Sequence, residues 1–469
     1  MPIPTLGLGL TPVHVAQRAP LTMQTPSIDD IHPPTFDFIT AQNNVDTINA
    51  AYEATNNHAY IIDFTIADPQ TPPASNETLF YHGVNNNFRN YIWLRRLNTG
   101  DLRLIIRSSN ATLLDLTFTA ENLYINRLMR MGVVIRDGSN YEIYINGRQY
   151  ATAMGKAEPL TNADTALFFN AGFGSDSAAP YGARLRYYDV PKTRAELEAI
   201  TNVTLAELGL SYSRDSSRIA IIGQGQSNMS GKEPVANKPI MPQVATGNLQ
   251  LLTTAGGLQP FTESWNDPGV NSPLFNSFAK PAYFAGYMGR VGNDVAAATG
   301  QKTMLSCAAQ AGTAISTDWA GARTDLNIGA GDTTTLGALT LNLWEPIRQA
   351  YALCGQVSLV HAQGESDALN GLSQADYEMQ LNAYFDYLDY YYPQLQHYVV
   401  GLNAYNVNSG ADSTNWIAIN AARQAVATSR ANCTFIDVSD IVITNPDGLH
   451  YQNANQEIIG ARIANAINA

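Results

Sequence analysis

From residue 218 onward the chain alternates short, mainly apolar runs with long helical segments, and few architectures accept that pattern. The runs are 219–223, 303–308, 357–362, 398–402 and 435–438; the helical segments lie near 281–299, 340–354, 373–391, 414–429 and 453–467. A run with no polar face must be covered on both sides, which is the condition of a strand in a parallel sheet. Intervening helices supply that cover. The pattern predicts one doubly wound α/β domain over 218–469. Ligands in such sheets bind beyond the carboxyl ends of the strands, so polar residues just after each run become the candidates for chemistry.

The N-terminal part follows a different rule. Runs of β-branched and aromatic residues at 60–66, 91–97, 102–106, 112–118, 131–135, 141–145 and 183–188 are separated by Asn, Gly and Asp turns. Short strands at that spacing predict an antiparallel β-sandwich. Asp137-Gly138 is a hairpin signal, and the strand after it closes on Tyr144-Ile145-Asn146-Gly147. That stretch, with 182–188 and the helical 192–200 at its end, resembles the laminin-G and concanavalin-A-like jelly rolls. The resemblance implies either glycan binding or a spacer role. Trp93, Tyr81 and Tyr91 either stack on sugars or fill a core or rim. The expected organisation is a Pro-rich arm or attachment segment at 1–28, the sandwich at 29–205, a polar linker at 206–217 and the α/β domain at 218–469.

Bulk properties narrow the partners. A chain of 469 residues exceeds one ordinary core. Its net charge of -13 and pI near 4.9 would repel a phosphate backbone, so no nucleic acid is expected. No apolar run reaches the length of a membrane span. Residues 1–20 lack the basic start and apolar stretch of a secretory signal, which predicts a cytoplasmic product or a removed leader. Charged residues are 14% of the chain against roughly 25% on average; Asn, Gln, Ser, Thr and Tyr supply the polarity, a mixture suited to surfaces that face sugars. Cys307, Cys354 and Cys433 are expected as buried free thiols, not a disulfide framework or zinc site.

Three segments carry candidate chemistry. Gly223-Gln224-Gly225-Gln226-Ser227-Asn228-Met229 follows the first apolar run, where small residues let the backbone turn and leave the serine hydroxyl accessible. Alone, this reads equally as a turn or phosphate cradle, although the Gly-Lys-Ser/Thr ending of a P-loop is missing. Asp447-Gly448-Leu449-His450 spaces a carboxylate and an imidazole by one turn, so one ring nitrogen can face the acid and the other a serine. By itself it is equally a local turn. Gln363-Gly364-Glu365-Ser366-Asp367 ends the third run; the Gln363 amide can donate to an oxyanion and the small Gly364 would admit substrate. Glu365 and Asp367 also read as a metal or acid/base pair, but without further ligands at metal spacing no metal or other cofactor is expected. His361, inside an apolar run, is a rival base, read instead as a satisfied buried histidine.

Together these residues resemble the SGNH hydrolases, in particular the sialate O-acetylesterase and acetylxylan esterase branch. Gly225-Gln226-Ser227-Asn228-Met229 is similar to its nucleophile block, and Ala311-Gly312-Thr313-Ala314-Ile315 with Trp319 to its second block. Gln363–Asp367 matches its third and Asp447-x-x-His450 its last. This chain has Ala311 where the second block usually opens on glycine, and Gln-Gly-Glu where the wider superfamily has an asparagine. The resemblance implies an α/β/α three-layer, flavodoxin-like fold and metal-free ester hydrolysis. Ser227 would attack the acetyl carbonyl, His450 act as base and then acid, and Asp447 orient His450. The oxyanion would be held by the N–H groups of Ser227 and Gly312 and the Gln363 side chain, with Gln226, Asn228 and Glu365 contacting substrate.

The expected activity is removal of O-acetyl groups from a polysaccharide. A non-catalytic glycan-binding or structural module, and a lipase, thioesterase or acyltransferase on the same triad, are the alternatives. The Pro-rich arm, jelly-roll-like domain and esterase together resemble bacteriophage tail proteins that modify host surface polysaccharide. That resemblance implies a virion location and a homotrimer, or attachment to a larger assembly through the arm. A secreted or periplasmic bacterial enzyme is the rival setting.

Overall fold

The computed structural model describes residues 28–32, 57–65, 72–84, 91–108, 111–118, 128–154, 165–169, 177–178, 183–188, 191–204, 207, 214–230, 247–252, 258–260, 286–320, 334–335 and 339–469. The expected arm, but for Ile28, and most of the expected linker lie outside these residues. In the N-terminal half the alternating runs form antiparallel strands. They are β1 (Ile28–His32), β2 (His58–Thr65), β3 (Glu77–Val84), β4 (Tyr91–Arg96), β5 (Leu102–Ser108) and β6 (Ala111–Phe118), then β7 (Leu128–Arg136), β8 (Asn140–Ile145), β9 (Arg148–Met154), β10 (Thr165–Phe169), β11 (Ser177–Ala178) and β12 (Ala183–Tyr188). One sheet runs β1-β12-β2-β7-β8-β9 and the other β10-β3-β4-β5-β6, with the short β11 parallel to β3. Tyr60, Ile62 and Phe64 from the first meet Phe80, Leu94, Leu104 and Phe118 from the second in one core. Side chains on alternate positions of a strand point to opposite faces, and β6 shows it, with Leu114, Leu116 and Phe118 buried and Asp115 and Thr117 exposed.

Of the five strands here that the sequence does not predict, β1, β3, β9, β10 and β11, two (β3 and β9) sit inside these sheets. Asp137 and Gly138 both take positive φ, as a tight hairpin requires. So do Asn146 (φ 47°) and Gly147 (φ 84°): the Asn-Gly pair is a second hairpin turn into β9, not the end of the motif. Tyr81, Tyr91 and Trp93 form a buried cluster with Ile105, separate from the shared core. The Trp93 indole donates to Thr78 Oγ1 at 3.1 Å. Of the two readings, structure filling fits these rings and sugar stacking does not.

The helix α1 (Arg194–Thr201) opens on a capping box in which Thr193 and Glu196 satisfy each other's backbone. Beyond it the fold changes character. The second half adds β13 (Asp215–Gly225), β14 (Leu249–Leu252), β15 (Leu258–Pro260), β16 (Thr303–Ala309), β17 (Thr334–Thr335), β18 (Cys354–Ala362), β19 (Gln396–Val400) and β20 (Cys433–Ile436). Its helices are α2 (Ser227–Ser230), α3 (Met288–Thr299), α4 (Thr340–Leu353), α5 (Glu365–Leu369), α6 (Gln374–Tyr391), α7 (Ser413–Ser429) and α8 (Asn453–Asn468). The sheet order is β15-β14-β16-β13-β18-β19-β20, parallel except at the β15 edge. The five apolar runs are five of its six contiguous parallel strands, β14 being the sixth; β13 starts four residues early, at Asp215, with an irregularity before Ile219.

Along β13, Ile219 and Ile221 join Val291, Ile459 and Ile463 of α3 and α8 in one core. Ala220 and Ile222 join Leu343, Leu381 and Ile419 of α4, α6 and α7 in the other. The sheet is therefore covered on both faces, as its mainly apolar runs require. Cys307 and Cys354 are buried free thiols, while Cys433 is only half-buried. No helix among the described residues is long and apolar enough to cross a membrane.

The halves meet along β9. The short β17 pairs with it, Thr334 opposite Thr152. Tyr387 Oη donates to the Gln149 carbonyl at 3.1 Å, and the Gln149 N–H donates to Tyr391 Oη at 3.0 Å. The Arg148 guanidinium lies 5.3–5.7 Å from the ring centres of Trp344, Tyr391 and Tyr392, within cation–π range.

Candidate active site

Strand β13 ends at Gly225 and Ser227 opens α2. The Gln226 N–H donates to the Ala362 carbonyl at 3.2 Å and the Gln310 N–H to the Gly225 carbonyl at 3.1 Å, so both neighbouring strands hold the turn. Met229 folds back over the strand: a Cβ on Gly223 would stand 2.7 Å from its sulfur. On Gly225 a Cβ would stand 2.1 Å from the Ala362 carbonyl oxygen. Relief there means parting β13 from β18, since the obstacle is backbone. Gly225→Ala is expected to cost about 3 kcal/mol, the upper end of ordinary overpacking, read as a lower guanidinium midpoint; an unchanged midpoint would contradict this packing.

The histidine arrives from the sheet edge. After β20 the chain crosses back over the end of β19, where the Ala404 N–H donates to the Ile441 carbonyl at 3.1 Å and Asn406 Nδ2 to the Ile443 carbonyl at 3.1 Å. Gly448 takes φ +63°, and a Cβ there would stand 2.8 Å from both Asn406 Cγ and the Ser409 nitrogen, so glycine is required. Within this loop Asp447 Oδ1 accepts the N–H groups of Leu449 (3.0 Å) and His450 (3.1 Å). Asp447 Oδ2 lies 2.6 Å from His450 Nδ1, and His450 Nε2 lies 2.9 Å from Ser227 Oγ. Burial works to raise the Asp447 pKa, but the bonds from the His450 ring and the two N–H groups outweigh it and hold the carboxyl below its usual range.

The segment Gln363–Asp367, at the end of the adjacent strand β18, is a bracket. Gln363 Nε2 donates to the Thr313 carbonyl, and Asp367 accepts from the N–H groups of Ile315 (3.0 Å) and Ser316 (3.4 Å). Ser366 Oγ donates to Gln226 Oε1 at 2.7 Å, and Glu365 Oε1 accepts from Asn228 Nδ2 at 2.8 Å. Two of its side chains thus grip the Gly312 loop and two grip the nucleophile loop. Gly312 itself is exposed with φ +75°, and nothing lies within 4 Å of where a Cβ would stand.

The structure thus brings Ser227, Asp447 and His450 together as the spacing predicts, and revises several neighbours. Gln363 has no exposed surface, and one of its amide N–H groups donates to the Thr313 carbonyl, so it braces the Gly312 loop. Gln226, Asn228 and Glu365 are as buried as Ser227, at 2%, 3%, 4% and 4% exposure. Gln226 is bonded to Ser366 and Asn228 to Glu365, so these side chains tie the nucleophile loop to the bracket. Gly364 makes room for α7 and α6, not for substrate: a Cβ would meet Ile419 at 2.9 Å and Tyr377 Oη at 3.2 Å. His361 is buried in the sheet, its Nδ1 2.9 Å from Gln224 Oε1 and its Nε2 with no hydrogen-bond partner. Burial, with Arg423 and His397 nearby, pushes its pKa far down; it is a core histidine, satisfied on one side only. These hydrogen bonds join residues 50 to 140 positions apart in sequence, and no local signal announces them.

The family profile described as carbohydrate esterase, sialic acid-specific acetylesterase (SASA) matches residues 218–469. The chain belongs to this SASA family. Membership gives the general class of reaction, carbohydrate ester hydrolysis, and the SASA match includes Ser227, Gly312, the bracket and the Asp447–His450 loop. A search of curated proteins returns no match. Among solved structures, a protein from Arabidopsis thaliana is 18% identical, covering 54% of this chain and 98% of its own, with a TM-score of 0.41. The Ruminococcus gnavus IT-sialidase CBM40 is 14% identical over 38% of this chain and 100% of its own, TM-score 0.30. The leech intramolecular trans-sialidase is 17% identical over 33% of this chain and 25% of its own, TM-score 0.26.

Proposed function

We propose that the protein hydrolyses acetyl esters on a polysaccharide through a Ser227–His450–Asp447 triad. The observation that carries this reading is the continuous chain of contacts from Asp447 Oδ2 through the His450 ring to Ser227 Oγ, at 2.6 and 2.9 Å. With Nδ1 donating to Asp447, Nε2 accepts the serine proton as Oγ attacks the acetyl carbonyl. The tetrahedral oxyanion is met by the N–H groups of Ser227 and Gly312. His450 then protonates the departing sugar hydroxyl, and water, activated by the same nitrogen, releases acetate.

The Asp447–His450 loop reaches the surface, the Asp447 side chain being 51% exposed, which supports a substrate met at the surface. Acetate release across a panel of acetylated bacterial surface polysaccharides, with acetylated xylan as contrast, tests the substrate class. Chromogenic esters of rising acyl length test the acyl group. Acetyl esters are expected to be turned over at least about tenfold faster than octanoyl esters, one or two buried methylenes' worth of discrimination; a preference for long chains would favour the lipase reading.

For the N-terminal half we keep the jelly-roll reading, supported by two antiparallel sheets packed on one core, with domain limits at 29–205 and 218–469 about a linker at 206–217. The setting proposed is a bacteriophage tail, with 1–28 as attachment arm and a homotrimer as the assembly; a secreted or periplasmic enzyme is the alternative. Copurification with virions decides between them.

A further inference from the structure

The side chain of Asn228 grips the backbone on both sides of His450 without touching its ring. Asn228 Nδ2 donates to the Leu449 carbonyl at 3.1 Å, and Asn228 Oδ1 accepts the Tyr451 N–H at 3.2 Å. The amide cannot be turned over, because the Leu449 carbonyl can only accept and the Tyr451 N–H can only donate; Nδ2 also donates to Glu365 Oε1 at 2.8 Å. Asp447 and His450 are bonded to each other within one four-residue loop. That loop therefore keeps its internal geometry alone, whereas its distance to Ser227 must be set from outside. Asn228, next in sequence to the nucleophile, is the group placed to set it.

We propose that Asn228, oriented by Glu365, is a positioning residue that docks the Asp447–His450 loop onto Ser227. The proposal rests on the triad reading above. It accounts for the residue directly after the nucleophile and for the glutamate of the bracket, neither of which the mechanism otherwise uses. Asn228→Asp puts an oxygen where Nδ2 stands, facing the Leu449 carbonyl and the Glu365 carboxylate. Glu365→Gln keeps an oxygen that can still accept from Asn228. The double variant exchanges donor and acceptor between 228 and 365, so it restores their bond but not the hold on Leu449.

Acetyl-ester kinetics, thermal melting and the low-field NMR signal of the His450 Nδ1 proton test this together. Asn228→Asp is expected to lower kcat about 100-fold, the effect of a misplacement near 1 Å, with KM changed less than about threefold. The low-field proton should persist, since the Asp447–His450 pair stays intact. Glu365→Gln should stay within about threefold of wild-type kcat, and the double variant should recover its melting temperature while kcat remains more than about tenfold down. Wild-type kcat in Asn228→Asp, loss of the low-field proton with kcat, or full recovery of kcat in the double variant would each overturn the docking role. Ser227→Ala is the control: if it retains full activity the triad reading itself fails, whereas an inactive Ser227→Ala beside a fully active Asn228→Asp removes only the docking role.

Discussion

Ser227→Ala is expected to lower kcat for acetyl-ester hydrolysis on the order of 10^6-fold, the cost of losing the nucleophile of such a unit. The reason is chemical, since alanine leaves His450 Nε2 with no hydroxyl to deprotonate and no acyl-enzyme can form. What survives is slow attack by water, aided by whatever the Gly312 loop still contributes to the oxyanion. Folding should be little affected, by about 1 kcal/mol or less, because the turn is held by the bonds of Gln226 to Ala362 and of Gln310 to Gly225. Stopped assays of acetate release, set beside thermal melts, check both halves. Wild-type turnover in this variant would place the nucleophile elsewhere.

Asp447→Asn should cost about 10^4-fold in kcat with KM nearly unchanged. The variant keeps an oxygen for the Leu449 and His450 N–H groups, so the loop stays folded. Its amide nitrogen, however, donates to His450 Nδ1 and forces the ring proton onto Nε2, facing the serine it should accept from. The native carboxyl has a pKa below its ordinary value. Its stabilising charge is thus present above the unfolded pKa and is lost only as pH falls through the depressed native one. Across neutral pH the stability this carboxylate contributes should therefore be constant, as thermal melts at several pH values would show. A loss smaller than about tenfold would remove Asp447 from the mechanism.

Much of the catalytic half was legible because its strands are buried on both faces. The runs 219–223, 303–308, 357–362, 398–402 and 435–438 have no polar alternation to confuse them, and each lies within or overlaps an observed parallel strand. Ser227, Asp447 and His450 were legible because two short motifs hold them, one at the end of β13 and one in the loop before α8. The antiparallel half was read less well. Glu77–Val84 carries a histidine and a glycine that interrupt its apolar pattern. The strand Arg148–Met154 was hidden by reading Asn146-Gly147 as a terminus when it is a turn. Gln363 shows the limit most clearly: its residue type suits an oxyanion donor, but only the fold reveals that one of its amide N–H groups donates to Thr313.

The contact along β9 has a consequence for handling the two halves apart. A bare strand edge is a template for pairing with other chains, and in this protein the catalytic half covers that edge. Thr334 and Thr335 pair with it, and Tyr387 and Tyr391 occupy the carbonyl and N–H of Gln149. A sandwich expressed alone would present that edge, and Arg148 stripped of its aromatic shelf, to its own copies. Self-association would then mimic or mask ligand binding. Whether the sandwich holds a sugar is therefore a question to put to the intact chain, in which that edge is covered.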